Sequence, residues 1–427
     1  MKNSHADIPS WLRWTVLIIA SLAMFGNYYL YDSIAPIADL LESELGFSDT
    51  NISRLYSFYS WASIAALIFG GVFIDKFGTR ISILIFGTLC ALAGVITMLD
   101  DSVVIMLIGR TILGLGAELL IVAITVSIAK WFKGKVLGFA MGINLFIARG
   151  GSWFADRSPD FFENLYSSWK PPLELAMIIG MLCLVSGVLY FLLEGYANRK
   201  YELAGAEETD KLSLKGLFSY SRSFWIIVLL CVTFYSAVFP FRSFAIKFFQ
   251  HFHEIERGQA GALLSYLPMA SMFATPFIGL LVDLVGKRSS FMLLGSFLLM
   301  PVFLIMVYSN VSLVVPIAML GVAFSLIPAI MWPSVAYVVD VKRLGTAYAL
   351  MTLIQQIGVG GMNEGIGFLN DLFGAGPGNA QGYIPMIWAL SALGVLALIF
   401  SIWLRIVETG PRSHGLELPV NKINKVV

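Results

Sequence analysis

The chain has 427 residues, of which 58% are hydrophobic and only 13% charged, with a net charge of +1 and a mean hydropathy of +0.81. Soluble domains run near one-quarter charged, so this composition excludes a water-soluble globule and a basic nucleic-acid binder, and points to a chain embedded in lipid. Cys90, Cys183 and Cys231 lie in apolar runs, and His5, His251, His253 and His414 have no ligand spacing, so neither a disulfide framework nor a metal centre is expected.

A helix needs about 20 apolar residues to cross the hydrocarbon core. Windows that meet this demand fall at 11–42, 50–75, 80–98, 102–130, 135–165 and 172–198, then, after a polar stretch, at 222–252, 257–285, 288–308, 311–340, 344–372 and 382–407. The first window is too long for the apolar region of a signal peptide, so none is expected. Of the 28 lysines and arginines, 20 fall in segments that share a side with the N-terminus, which places both termini in the cytoplasm. The links leave no room for a catalytic domain, and no nucleophile–base set, phosphate loop or cofactor motif is present. An enzyme is therefore not expected, nor is any cofactor.

The candidate functional residues come from polar groups inside these windows. Span 1 carries Asp32 with Tyr28 on its helical face, and span 2 lines up Tyr56, Tyr59, Ser60 and Ser63. Span 4 carries Glu118 and span 5 Arg149, both near the midplane, where each costs about 2.5–3.5 kcal/mol to insert. They form either a permanent ion pair or two halves of a binding site. Span 7 carries Arg242 at a depth like that of Asp32, beside Tyr235 and Phe239, with Pro240 as a bending point. Asp32 and Arg242 either close an outer gate with Glu364 of span 11 or reach the interface by snorkelling. Gln356, Gly360, Asn363 and Glu364 share a face of span 11. Asn144, Tyr266 and Trp332 are single candidates for the pocket wall or for packing. Gly138 with Gly142 and Gly361 with Gly365 have the small-residue spacing that permits close helix approach.

Two internal repeats divide the chain. Gly71-Val-Phe-Ile-Asp75-Lys76-Phe-Gly78-Thr-Arg80 returns 208 residues later as Gly279-Leu-Leu-Val-Asp283-Leu-Val-Gly286-Lys287-Arg288. Met141 with Gly150-Gly151 returns 210 residues later as Met351 with Gly360-Gly361. The expected fold is an all-α membrane protein of twelve transmembrane helices in two pseudo-twofold-related six-helix bundles. Residues 1–198 form the N-terminal bundle, 199–221 a cytoplasmic linker, and 222–427 the C-terminal bundle with a short cytoplasmic tail.

The Gly71–Arg80 run resembles the loop 2–3 signature of the major facilitator superfamily, and Arg110-x-x-x-Gly114-x-Gly116 is similar to a second motif of that family. Tyr56-Ser-Phe-Tyr59-Ser-Trp61, Trp131-Phe-Lys-Gly-Lys135, Ala148-Arg149-Gly150, Ala237-Val-Phe239-Pro240-Phe241, Leu344-Gly-Thr-Ala-Tyr348 and Trp332-Pro333 resemble the branch of major facilitator superfamily domain-containing protein 1, a branch of lysosomal dipeptide carriers. The resemblance implies a cytoplasmic latch at Gly71, Asp75, Gly78 and Arg80, repeated less completely at Asp283, and a gating role for Arg110. Span 5 lacks Gly-Pro-x-x-Gly-Gly and span 1 lacks Glu-x-x-Glu-Arg, so drug–proton antiporters and standard proton-coupled peptide symporters are not resembled.

Two readings follow. In the first, an alternating-access carrier of small zwitterions binds an amine at Glu118 and a carboxylate at Arg149, and the resemblance implies dipeptides, moved by uniport or with protons. In the second, Arg149 and Arg242 bind an organic anion and Glu118 carries a proton. A non-transporting receptor is a third class, against which the polar central faces argue. The expected partners are the small-molecule substrate and the bilayer, with a monomer that could take an accessory subunit. A cell (inner) membrane is expected because no long N-terminal sorting tail precedes span 1, with the lysosomal membrane as the alternative. Reporter fusions at either terminus and within 199–221 should all read cytoplasmic, and a reading on the opposite side at any of them contradicts the twelve-span topology.

Overall fold

A computed structural model describes residues 8–132, 136–201, 220–340, 343–411 and 413–419. Most of the expected linker and the basic residues Lys133, Lys135 and Lys342 lie outside these. The described chain is almost wholly helical: α1 (Ser10–Asp32), α2 (Ala38–Leu45), α3 (Asp49–Leu99), α4 (Val103–Trp131), α5 (Leu137–Phe161), α6 (Lys170–Lys200), α7 (Arg222–His253), α8 (Arg257–Val285), α9 (Arg288–Tyr308), α10 (Val314–Val338), α11 (Leu344–Leu372) and α12 (Ile384–Glu408).

Two departures from the expected spans have local causes. The 11–42 window is not one helix: α1 stops at Asp32, a single 3-10 turn runs Ala35–Ile37, and α2 follows. Pro36 lacks an N–H and disfavours helical geometry in the residue before it, so the apolar run cannot continue straight. Spans 2 and 3 instead run together as α3, whose 51 residues bend at Gly78 (φ 74°, ψ 167°), a conformation open essentially to glycine alone.

With α2 set aside, these helices make twelve crossings. Among the described residues, nine stretches are long and apolar enough to cross a membrane by length and composition, and one of them, Asp49–Leu99, has the length of two. The remaining two crossings are α5 and α11. Arg149, Asp156, Arg157 and Asp160 break the apolar character of α5, and Gln355, Gln356, Asn363, Glu364, Asn370 and Asp371 break that of α11. A helix with polar residues spread around it must turn them toward protein or water. Both helices do so, since α5 packs on α1 and α8 while α11 packs on α3 and α7.

The fold is the expected pair of six-helix bundles, α1 and α3–α6 in one and α7–α12 in the other. One apolar core stays inside the first bundle. The other fills the second bundle and crosses into the first through residues such as Ile34, Ile37, Leu41, Ile52, Leu55 and Tyr166, all on the face of the molecule away from the chain termini. On that far side α3 and α11 touch closely: a Cβ at Gly367 would strike Ser53 and the Asp49 carbonyl. Toward the terminal side the bundles part. Phe69, Phe139 and Phe277 are 66–73% exposed, and a Cβ added at Gly71, Gly138, Gly142 or Gly279 would meet nothing within 4 Å. The expected small-residue contacts at Gly138/Gly142 and Gly361/Gly365 are therefore not made in this conformation. Gly151, Gly360 and Gly367 provide the close crossings instead.

The repeated loop motifs build the same kind of turn. Gly78 and Gly286 both have φ of 74°. Arg80 donates to the Phe191 carbonyl at 2.8 Å and lies over the Phe191 ring, while Arg288 pairs with Asp283 at 2.8 Å and donates to the Tyr337 hydroxyl at 3.0 Å. Gly78→Ala should cost about 1–3 kcal/mol, read as a lower melting temperature of purified protein, whereas Gly71→Ala should be close to neutral. Equal melting temperatures for the two variants contradict the strained turn.

Candidate functional site

A cavity of about 340 Å³ lies between α1, α3, α4, α5, α7, α10 and α11. Each wall is set by helical spacing, because residues three, four and seven apart share a face. Asn27, Tyr28, Tyr31 and Asp32 come from α1, Glu118, Ile121 and Val122 from α4, and Gln355, Gln356 and Val359 from α11. Of the candidate binding residues, Tyr28, Tyr59, Glu118, Arg149, Tyr235, Phe239, Arg242, Trp332 and Gln356 line it, as does Asp32 from the candidate gate.

Two candidates lie elsewhere. Asn144 is buried and accepts a hydrogen bond from Ser21 Oγ at 3.0 Å, so its amide ties α5 to α1 outside the cavity. Tyr266 is not among the residues that line the cavity, and 38% of its surface is exposed. Arg110, a candidate for the gate, is also outside the cavity. It is buried inside the first bundle, donating to the carbonyls of Leu55, Leu30 and Tyr31 at 2.8–3.0 Å. It also faces the rings of Tyr31, Tyr56 and Tyr59. An arginine so used staples α1, α3 and α4 together, and these hydrogen bonds all stay inside the first bundle.

The two midplane charges are not an ion pair. Glu118 accepts from Tyr59 Oη at 3.0 Å and from Gln356 Nε2 at 2.8 Å, a bond that crosses from one bundle to the other. The Arg149 guanidinium carbon stands 4.9 Å from the Phe324 ring centroid and 5.3 Å from that of Tyr28. Its Nε has no hydrogen-bond partner, and among the described residues no carboxylate pairs with it. Cation–π contacts offset part of the cost of that charge, on the order of 0.5–2 kcal/mol each, but supply no acceptor for its N–H fork. The rest of the wall is aromatic: Tyr235 stacks on Phe239, Tyr31 meets Tyr59 edge-on at 4.7 Å, and Trp332 Nε1 donates to Tyr235 Oη at 3.0 Å.

Arg242 has a different role from Arg149. Its Nη2 lies 3.1 Å from Asp32 Oδ1 and 3.1 Å from Asp156 Oδ2, and all three side chains are buried. The expected pairing of Asp32 with Arg242 is present, and neither residue snorkels. Asp156 is not among the sequence candidates, although its place seven residues beyond Arg149 puts it on the same face of α5. Further out, Lys247 pairs with Asp49 and, at 2.7 Å, with Glu42. Asn370 donates to Asp49 Oδ2 at 2.8 Å, and Arg257 meets Asp39 at 2.5 Å. The Asp371 carboxylate accepts from the backbone N–H groups of Asp49 and Thr50 at 2.7 and 2.9 Å, an anion at the N-terminus of α3. Glu364 pairs with Arg54 at 3.3 Å, both half exposed. These contacts all join the two bundles on the far side of the cavity.

A sequence model described as the Major Facilitator Superfamily matches residues 17–361. The lysosomal dipeptide transporter MFSD1 of Danio rerio is 29% identical over 379 residues, covering 85% of this chain and 81% of that protein. The protein of the same name from Homo sapiens is 29% identical over 363 residues, covering 81% of this chain and 77% of its own. Among solved structures, a bacterial homologue of the human lysosomal transporter Spinster, in an inward-facing and unoccupied conformation, superposes with a TM-score of 0.66 at 16% identity, over 98% of this chain and 99% of that one. The nucleoside transporter NupG gives 0.66 at 12% identity, over 92% and 98%. At such identities these two structures speak for the fold alone.

Removing one member of a buried charge cluster costs about 3–5 kcal/mol, because the remaining charges stay desolvated without a counterion. Arg242→Met would leave Asp32 and Asp156 facing each other, so it should shift the protein away from the far-side-closed conformation. In a variant whose three cysteines are replaced and which carries Thr352→Cys in the cavity wall, a thiol reagent applied from the far side should label about tenfold faster after Arg242→Met. Unchanged labelling contradicts a holding role for Arg242.

Proposed function

The chain belongs to the Major Facilitator Superfamily, and from that premise we propose that it carries small zwitterions, dipeptides foremost, across the membrane by alternating access. It is an integral membrane transporter and not an enzyme. The observation that carries the reading is that Glu118 and Arg149 face one cavity with opposite charges and are not paired with each other. A dipeptide presents an ammonium and a carboxylate several ångströms apart. Glu118, held by Tyr59 and Gln356, offers an oriented acceptor for the ammonium, and the planar fork of Arg149 matches the two carboxylate oxygens. Aromatic rings around them accept varied side chains without demanding one. The similarity to lysosomal dipeptide transporters supports the substrate class.

The organic-anion reading asks Arg149 and Arg242 to bind together. With two carboxylates already on Arg242, its positive charge is spent on the protein and adds little attraction for an anion. In the cycle proposed here the bundles 1–198 and 222–427 rock about the cavity. The far side is held shut by the Arg242, Lys247 and Arg257 contacts, and the Asp75 and Asp283 turns act when the terminal side closes. Both termini face the cytoplasm in this scheme, in keeping with the distribution of lysine and arginine.

Capping either end of a dipeptide should weaken binding by about one to two decades, the equivalent of a charge-assisted contact worth roughly 1.5–3 kcal/mol. Arg149→Lys should lose a similar amount, since a point charge does not reproduce the bidentate fork. Free amino acids should bind less well because their charges are too close together. Glu118→Gln should weaken binding at every pH. Equal affinities for capped and free dipeptides would sink the zwitterion site and favour the organic-anion carrier.

A further inference from the structure

Asn27 stands in the wall of the same cavity, 2% exposed, and its Oδ1 meets no hydrogen-bond partner among the described residues. A buried carboxamide oxygen without a partner costs on the order of 1–3 kcal/mol, so Asn27 holds hydrogen-bonding capacity in reserve at the cavity wall. The backbone around it is closely packed. A Cβ at Gly26 would lie 3.0 Å from the Ile179 carbonyl of α6, and on the other face of α1 a Cβ at Gly151 of α5 would strike the Phe25 carbonyl. The adjoining residue, Tyr28, faces the Arg149 guanidinium at 5.3 Å and lies within electrostatic reach of Glu118 as well. Asn27 thus occupies the same turn of α1 as the ring beside the Arg149 guanidinium, and the Gly151 crossing sets that turn against the helix that carries Arg149.

A carboxamide carries an acceptor and donors side by side, and so does a peptide group. The charged ends, Glu118 and Arg149, distinguish a zwitterion from a singly charged solute but do not sense what joins its ends. The aromatic walls are equally indifferent. We propose that Asn27 is the residue that reads the peptide bond, pairing its side-chain amide with the backbone amide of a bound dipeptide and so favouring dipeptides over ω-amino acids of the same length. This rests on the zwitterion reading above and adds to it a specificity that the two charges alone do not provide.

Three ligands of matched length separate the contributions. Gly-Gly has the whole peptide group, 5-aminolevulinate replaces the N–H with a methylene and keeps the carbonyl, and 5-aminopentanoate has neither. In the wild-type protein, affinity measured by calorimetry or thermal shift should fall in that order. Each lost neutral hydrogen bond should read as about a 2- to 12-fold change. In Asn27→Leu, Gly-Gly should weaken by the two factors multiplied while 5-aminopentanoate stays within about twofold, so the preference collapses. Asn27→Ala serves the same comparison if the leucine variant does not fold, as judged by its melting temperature. Equal affinity of the wild-type protein for all three ligands overturns the inference without any variant. Full retention of the Gly-Gly preference in the variants overturns it while leaving the zwitterion site standing. Failure of the wild-type protein to bind Gly-Gly or any other dipeptide overturns both.

Discussion

Hydrocarbon does not solvate a charge, so a chain that buries Arg242, Lys247, Asp32, Asp49 and Asp156 must bring their opposites to them. The partners of these residues come from the other bundle: Arg242 and Lys247 from α7, Asp32, Asp49 and Asp156 from α1, α3 and α5. Pairing the charges therefore means closing the two bundles together, and these pairs all lie on the far side of the cavity. Each pair satisfies the electrostatic demand of its members and, through the same contact, fixes which way the cavity opens. Asp371 at the N-terminus of α3 and the Gly367 crossing act at the same place, so charge, helix dipole and close packing all bear on the far side.

Glu118 and Arg149 meet the same demand in another way. Their depth is comparable, yet Glu118 is met by neutral donors and Arg149 by ring faces. A carrier needs its binding groups left incompletely satisfied, since a permanent ion pair between them would compete with the ligand at full strength. The Glu118–Gln356 bond also joins the bundles, because α4 and α11 belong to different ones, and in the proposed zwitterion site it would link binding to motion. An ammonium that takes over the Glu118 carboxylate competes with Gln356 for that acceptor and alters a contact across the very gap that must open and close.

The fold is largely legible in the sequence, because hydropathy, lysine and arginine placement and the Gly71/Gly279 repeat all depend on local composition. The departures are local too: Pro36 breaks the first window, and Gly78 lets two windows join in one bent helix. Within the site, groups announced by their cost in lipid are found readily, Glu118 and Arg149 among them. What sequence does not supply is azimuth and partner. Asn144 and Tyr266 have the depth of cavity residues but the wrong face, and Arg110 carries a family motif yet spends its donors on backbone carbonyls. Asp156 and Asn27 escape a reading of the sequence because a short polar residue beside a more conspicuous one gives no separate signal until three helices converge on it.

A structure of the protein with a dipeptide bound would show whether the cavity holds a zwitterion between Glu118 and Arg149. The ligand carboxylate should stand in bidentate contact with the Arg149 guanidinium and its ammonium within hydrogen-bond distance of Glu118, with Arg242 still held by Asp32 and Asp156. A ligand seated with its ends reversed, or with its carboxylate on Arg242 in place of Arg149, contradicts that site.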